Sequence, residues 1–205
     1  MTQLELSGVV PLATVDDEAA AHTIADGLVA GGLPVLEVAL RNDYGLDAIA
    51  RIAARGDVAV GAGTVLTPEQ LQRSIDAGAR FIVAPGLDEE VVEAALAAGV
   101  PVLPGVQTAS DVQRGLRLGL DRLKLFPASV AGGLDALGAF APVFPTVRFM
   151  PSGGVKPANL ADYLAHPAVF AASGSWIASA ERVAAGAEAI AEAAREAVAI
   201  AEAAE

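Results

Sequence analysis

The chain has 205 residues, 54% of them hydrophobic and 19% charged, a composition that is typical of a folded globular protein and excludes a disordered one. Its formal net charge of −12 argues against nucleic acid or an anionic membrane surface as the main partner. The sequence contains no cysteine, which excludes disulfide bonds, thiolate catalysis and cysteine-ligated metal.

Residues 1–5 lack the basic region and apolar core of a signal peptide, so we expect none. Gly, Pro or charged residues interrupt every apolar run before it is long enough to span a bilayer. We therefore expect a cytoplasmic protein without a membrane segment. An anionic substrate must then be held by local positive charge or by backbone amides.

Predicted strands and helices alternate from the amino terminus onward. Asp17 is suited to cap the first helix, and Asn42 or Asp43 the second. Thr67 to Gln70 form a capping-box sequence with proline at the first helical position, which predicts the start of the third helix. The predicted strands lie at 8–13, 34–40, 58–64, 80–84, 100–103, 122–126, 146–150 and 169–172.

Several of the predicted helices end in glycine shortly before the next strand. Gly31, Gly78, Gly99 and Gly119 all occupy this position, and the last three follow at nearly equal intervals. The alanine-rich tail predicts one long surface helix from about residue 179. Its apolar side would carry Val183, Ile190 and Val198, and its acidic face Glu188, Glu192 and Glu196.

Eight strands separated by seven helices, with a further helix at the carboxyl terminus, predict a (β/α)8 TIM barrel. A flavodoxin-like open sheet would need fewer strands and is the less favoured alternative. No linker or shift in composition divides the chain, so we expect a single α/β domain over residues 1–205.

The sixth predicted strand contains a lysine that alternation turns toward the interior. Leu123 and Leu125 suit the helix-covered face, so Lys124 points the other way. Burial of an ammonium is costly and favours the neutral amine, the form that attacks a carbonyl carbon to make a Schiff base. A structural ion pair with a carboxylate is the alternative.

Two further charged residues lie on the second predicted strand and directly after it. Alternation places Glu37 and Arg41 on the face opposite Leu36 and Val38, inside the barrel with Lys124. Stability is a weak reason for burying such a group of charges, because apolar replacements are often neutral or stabilising. We therefore favour a catalytic site over a purely structural ion pair.

Three loops after predicted strands are rich in small residues. Gly61 to Thr64 would let a ligand approach the backbone, although an ordinary tight turn has the same composition. Ser152 to Gly154 and Ser173 to Ser175 follow strands seven and eight, where barrels of this kind commonly bind phosphate. No His, Asp and Glu cluster has metal-binding spacing, so we expect neither a metal nor a cofactor.

Taken in order, these motifs resemble those of the bacterial 2-keto-3-deoxy-6-phosphogluconate (KDPG) aldolases, a family that also includes 4-hydroxy-2-oxoglutarate (KHG) aldolase activity. The resemblance extends from Gly8 to about Ile177. It implies a metal-free class I aldolase, usually a homotrimer, that releases pyruvate from a 2-keto-4-hydroxy acid, with a small phosphorylated keto acid as the expected substrate. The matching segments are Leu36 to Arg41, Val60 to Leu66, Ala84 to Gly86, Leu123 to Ala128, Pro151 to Gly154 and Gly174 to Trp176.

The resemblance also implies roles for individual residues. Lys124 would form the Schiff base, and Glu37 would act as general acid and base through water. Arg41 and Thr64 would hold the pyruvate carboxylate, while the residues around the carbonyl would be Pro85 and Phe126. Those at the phosphate end of the substrate would be Ser152, Gly153, Gly154 and Ser175.

The sequence departs from the family pattern at four positions. Ser129 stands where the family commonly has Glu, Leu125 where it has Phe, and Asn42 and Ser152 where it often has Thr. Because Ser129 is close to Lys124, 6-phosphogalactonate or KHG substrates stay open beside KDPG. A phosphosugar isomerase or epimerase and a non-catalytic scaffold are rival hypotheses, but neither requires a covalent lysine.

Overall fold

The computed structural model describes residue 6 and residues 8–204. Within that part of the chain are nine strands and nine helices, which alternate except where β6 follows β5 and α9 follows α8. The strands are β1 (Gly8–Ala13), β2 (Val35–Ala39), β3 (Ala59–Gly63), β4 (Ile82–Val83), β5 (Val102–Leu103), β6 (Gly105–Val106), β7 (Arg122–Leu125), β8 (Arg148–Pro151) and β9 (Ala171–Gly174). The helices are α1 (Glu18–Ala30), α2 (Gly45–Arg55), α3 (Pro68–Asp76), α4 (Glu89–Ala98), α5 (Ala109–Arg117), α6 (Gly133–Phe140), α7 (Pro157–Leu164), α8 (Ala180–Ala185) and α9 (Ala187–Ala204).

The strands pair in parallel throughout, as the predicted α/β class requires. Six of them form a sheet in the order β5-β4-β3-β2-β1-β9, and three form a second sheet in the order β6-β7-β8. Isolated parallel bridges, Phe149 to Val169 and Ser152 to Ser173, connect the edges β8 and β9. The α/β class is therefore confirmed, whereas the hydrogen-bonded ladder is divided into two sheets.

The predicted fifth strand at 100–103 is confirmed only over its last two residues, as β5, and the structure adds a second short strand, β6, that was not predicted. Pro104 separates β5 from β6, and proline has no amide hydrogen to donate to a ladder. The Pro104 carbonyl still accepts a hydrogen bond from the Lys124 amide at 3.0 Å. The chain thus changes sheets at this proline, with β6 pairing on to β7.

Two groups of buried side chains lie on opposite faces of the strands. The larger one packs between strands and helices and takes alternate residues such as Leu36, Leu123 and Phe149. The smaller one, here called the apolar interior cluster, draws side chains from strands of both sheets. Its members are Leu6, Val10, Phe81, Val83, Leu103, Met150 and Ala171.

The helix starts predicted at Asp17 and Thr67 are confirmed by side-chain hydrogen bonds, and other helices are capped in the same way. Asp17, Thr67 and Asp88 each accept a bond from an amide in the first turn of the following helix. Thr108 and Asp111 make a full capping box. Burial tends to raise the pKa of Asp111, but hydrogen bonds from Thr108 and neighbouring amides hold it below its usual value.

The predicted cap of α2 is wrong. Tyr44 is the residue before this helix, and no side chain bonds to the first turn. The Asn42 side chain instead donates to the Val15 carbonyl at 3.0 Å and to the Asp16 carboxylate at 2.8 Å. Asn42 therefore joins the loops that follow β1 and β2.

The carboxyl-terminal segment is two helices and not one, because Gly186 interrupts it with a φ of 100°. The second of them, α9, packs closely on α1, where a Cβ on Gly27 or Gly31 would overlap α9. Ile190 is buried as predicted, while Val183 and Val198 are half-buried. A row of small residues, including Ala191 and Ala194, allows this close contact.

Candidate active site

Lys124 is buried on the inner face of β7, with 3% of its surface exposed. It pairs in register with Gly105 on one side and with Met150 of the apolar interior cluster on the other. Its neighbours Leu123 and Leu125 belong to the cluster under the helices. The alternation predicted for this strand is confirmed, and the amine is largely removed from solvent.

Glu37 meets Lys124 from β2, where it is 1% exposed. Its Oε1 atom lies 3.5 Å from the Lys124 Nζ atom, although 87 residues separate the two in sequence. Gly63 of β3 packs against the carboxylate so closely that a Cβ there would overlap it. The glycine thus leaves the space that the carboxylate occupies.

Ser173 contacts the other oxygen of the same carboxylate. The Ser173 hydroxyl donates to Glu37 Oε2 at 3.5 Å, and Ser173 is fully buried. From sequence we placed this serine in a phosphate loop, whereas β9 extends through Gly174. Ser173 comes two residues after Ala171 of the apolar interior cluster, and this alternation was the signal that could have placed it inside.

Phe126 follows Lys124 on the same strand face and is half-buried. The Lys124 Nζ atom lies 4.7 Å from the centre of the Phe126 ring, a favourable position for a cation. The Phe126 amide donates to the Val106 carbonyl at 3.1 Å, which continues the ladder one residue beyond β7. An aromatic wall therefore stands beside the amine.

The prediction that Arg41 lies on the strand face of Glu37 is wrong. β2 ends at Ala39, and the Arg41 amide donates to the Ala39 carbonyl at 2.9 Å, so the chain turns before Arg41. Alternation no longer applies there, and the side chain is exposed. With Asn42, Gln70 and Arg73 it lines a surface cavity of about 340 Å³.

Thr64 begins the loop after β3 in a strained conformation. Its φ of 61° lies in the left-handed region, which residues other than glycine rarely adopt. Strain of this kind is common at ligand sites, and Thr64 is half-buried. Pro85 is also half-buried, and its carbonyl packs against Gly105, the residue that pairs with Lys124.

The two Gly/Ser loops are neighbours, because the Ser152 to Ser173 bridge joins their bases. Ser152 is buried, whereas Gly154 and Ser175 are exposed. Gly153 and Gly154 have φ values of 86° and 91°. Such a backbone can present amide groups to an anion, and side chains would strain it.

The profile of the aldolase family described as KDPG and KHG aldolase matches residues 1–193 of this chain. The 2-dehydro-3-deoxy-phosphogluconate aldolase of Pseudomonas aeruginosa PAO1 is 48% identical over 170 residues, 82% of this chain and 77% of that protein.

The chain belongs to the KDPG and KHG aldolase family.

Solved aldolase structures agree with this fold. The Zymomonas mobilis ZM4 enzyme with 3-phosphoglycerate is 44% identical, with a TM-score of 0.89, 96% of this chain and 93% of that chain being covered. The Legionella pneumophila KDPG aldolase, with pyruvate captured as a covalent carbinolamine, is 37% identical and has a TM-score of 0.90. The match covers 93% of this chain and 94% of that one. None of the helices within residues 8–204 combines the length and hydropathy that a membrane span requires.

Among the residues predicted for the site of this aldolase, the structure places Glu37 and Phe126 each beside Lys124. Ser152 is linked to them through Ser173. Arg41 remains at the surface beyond the end of its strand. Ser173 is the contact that the sequence interpretation missed.

Proposed function

We propose that this chain is a class I aldolase that cleaves KDPG to pyruvate and glyceraldehyde 3-phosphate. The observation that carries the proposal is a buried lysine amine within 3.5 Å of a buried carboxylate, beside an aromatic ring. A scaffold has no need for such a pair, since stability is a weak reason to bury it. Membership of the aldolase family supports a carbon–carbon lyase.

In this mechanism the neutral Lys124 amine attacks the C2 ketone, and the resulting carbinolamine loses water to give an iminium ion. Glu37 then accepts, through water, the proton of the C4 hydroxyl. The C3–C4 bond breaks, and its electron pair forms the enamine double bond as the iminium π pair moves to nitrogen. The C4 carbon leaves as the aldehyde.

The reaction ends when the enamine takes a proton at C3 from Glu37, which restores the iminium ion. Water adds to this ion, and pyruvate departs as the Lys124 amine is released. Glu37 thus moves a proton in both directions, so it must reach both the hydroxyl and the carbon. Its position beside the amine is suited to this.

The substrate would bind between two polar ends. Arg41 and Thr64 would hold the carboxylate, with the long Arg41 side chain folding inward from the surface to make a bidentate contact. Pro85 and Phe126 would shape the space around C2. The phosphate end would contact the loop residues Ser152, Gly153, Gly154 and Ser175.

We further propose that the two sheets close into a single-domain eight-stranded barrel, with β5 and β6 acting as one interrupted strand. The bridges between β8 and β9 and an interior cluster drawn from both sheets support this closure. We also propose that the protein is a homotrimer and that it works in the cytoplasm. Its partners would be small phosphorylated keto acids and pyruvate.

The decisive test is borohydride reduction of the purified protein in the presence of labelled pyruvate. We expect one pyruvate adduct per chain, on Lys124, and release of pyruvate from KDPG in a coupled assay. An active protein that forms no adduct would reject the Schiff-base aldolase, and conversion of a phosphosugar without pyruvate release would favour the isomerase or epimerase hypothesis. A panel with the galactonate epimer and KHG measures which aldehyde half the site prefers.

A further inference from the structure

Ser173 is a buried polar residue that the proposed mechanism does not use. It lies in β9 in register with Val10 of β1, and none of its surface is exposed. Ala171, two residues earlier on the same face, belongs to the apolar interior cluster. The interior position after Ala171 would ordinarily hold an apolar side chain. A hydroxyl buried there needs a hydrogen-bond partner.

That partner is the Glu37 carboxylate. Ser173 donates to Oε2, while the Lys124 amine lies against Oε1, each at 3.5 Å. Gly63 closes a third side of the carboxylate. The two oxygens are therefore distinguished: one is held by a serine hydroxyl, and the other faces the amine.

Ser173 is poorly placed to bind the substrate phosphate itself. The predicted phosphate contacts Gly154 and Ser175 are exposed, whereas Ser173 is fully buried within its strand. Its hydroxyl can donate one hydrogen bond, and it donates that bond to the Glu37 carboxylate. The side chain thus acts on Glu37.

We propose that Ser173 is a positioning residue that orients the Glu37 carboxylate for proton transfer. This inference rests on the proposed aldolase function. The hydroxyl holds Oε2, so that Oε1 stays directed at the carbon and hydroxyl that exchange protons beside Lys124. Hydrogen bonds at such sites are often long in the free enzyme and tighten when substrate is bound.

Proton exchange on pyruvate isolates this role from binding and from imine formation. In deuterated water, Glu37 takes a methyl proton from the Lys124–pyruvate iminium ion. The C–H electron pair becomes the enamine double bond, and the iminium π pair moves to nitrogen. The proton on Glu37 exchanges with the deuterated solvent. Glu37 then returns a deuteron to the methyl carbon, and both electron pairs move back.

The experiment compares wild type with Ser173→Ala, using NMR of the pyruvate methyl group in deuterated water. We expect exchange to slow about tenfold, the scale expected for losing a hydrogen bond to a charged group. The KM for KDPG should stay within about twofold and the borohydride-trapped fraction should be unchanged. Ser74→Ala is the matched control, because Ser74 is also fully buried but donates to Gln70 O in α3.

Exchange as fast in Ser173→Ala as in wild type would overturn the inference. A raised KM together with that normal exchange would make Ser173 a substrate contact. Ser173→Gly removes the same hydroxyl and serves if the alanine variant folds poorly. Wild-type protein that fails to trap pyruvate would instead refute the aldolase function itself. Trapping and exchange in wild type therefore separate the two failures.

Discussion

The interior positions of the sheets divide into an apolar and a polar region. Along β2 and β9 they change character in the strand direction, from Val35 to Glu37 and from Ala171 to Ser173. The apolar region gains stability from every side chain it buries. The polar region gathers a carboxylate, an amine and a hydroxyl that cost desolvation energy. One interior therefore supplies stability in one part and chemistry in another, and substitutions should separate the two.

The largest effect is expected at the amine. Lys124→Ala removes the nucleophile and should lower kcat for KDPG cleavage by at least about 10⁴-fold, while the protein still folds. The coupled pyruvate assay and circular dichroism measure the two properties. Lys156→Ala is the matched control, since it removes the other lysine of the sequence, which is exposed, and should still trap pyruvate. More than trace turnover in Lys124→Ala would remove this lysine from the mechanism.

The converse substitution tests the apolar region. Phe81 is fully buried in the apolar interior cluster and packs against Gly61. Phe81→Ala should lower the free energy of unfolding by about 3–5 kcal/mol, measured in urea, because it leaves a cavity. Activity per folded molecule should change far less than in Lys124→Ala. Loss of activity without loss of stability would show that the two regions are not separable.

Glu37→Gln keeps the shape of the side chain but removes the base. We expect kcat to fall about 10²- to 10³-fold, the usual contribution of a general acid or base. Imine formation should persist, so borohydride should still trap labelled pyruvate on Lys124. Near-normal cleavage by this variant would assign the proton transfer to another group.

A smaller effect should follow from crowding the carboxylate. A Cβ at Gly63 would overlap Glu37, so Gly63→Ala should displace it and lower kcat about tenfold, as expected when a catalytic group moves off its productive position. The matched control is Gly138→Ala in α6, where a Cβ meets no atom within 4 Å. That variant should keep its activity and gain about 0.5–1 kcal/mol of stability. Equal kinetics in both variants would show that Gly63 does not shape the site.

Much of the fold could be predicted because its signals are local. Apolar alternation located most of the strands, and capping residues such as Asp17 and Thr67 marked helix starts. The missed strand β6 and the wrong α2 cap have a common reason. In both places the chain forms hydrogen bonds with residues distant in sequence. The segment around Pro104 pairs with β7, and Asn42 bonds to the loop after β1.

The same division runs through the candidate site. Alternation within a strand was sufficient to turn Lys124 and Glu37 to one face, because a strand's side chains change sides at every residue. It failed at Arg41, where the strand had already ended, and it could not place Ser173 against Glu37, which lies 136 residues away in the chain. The sequence by itself thus determined that Lys124 and Glu37 turn away from the helices and are buried. Only the tertiary structure decided which of them meet, since parallel pairing brings distant strands together and short-range patterns carry no record of it.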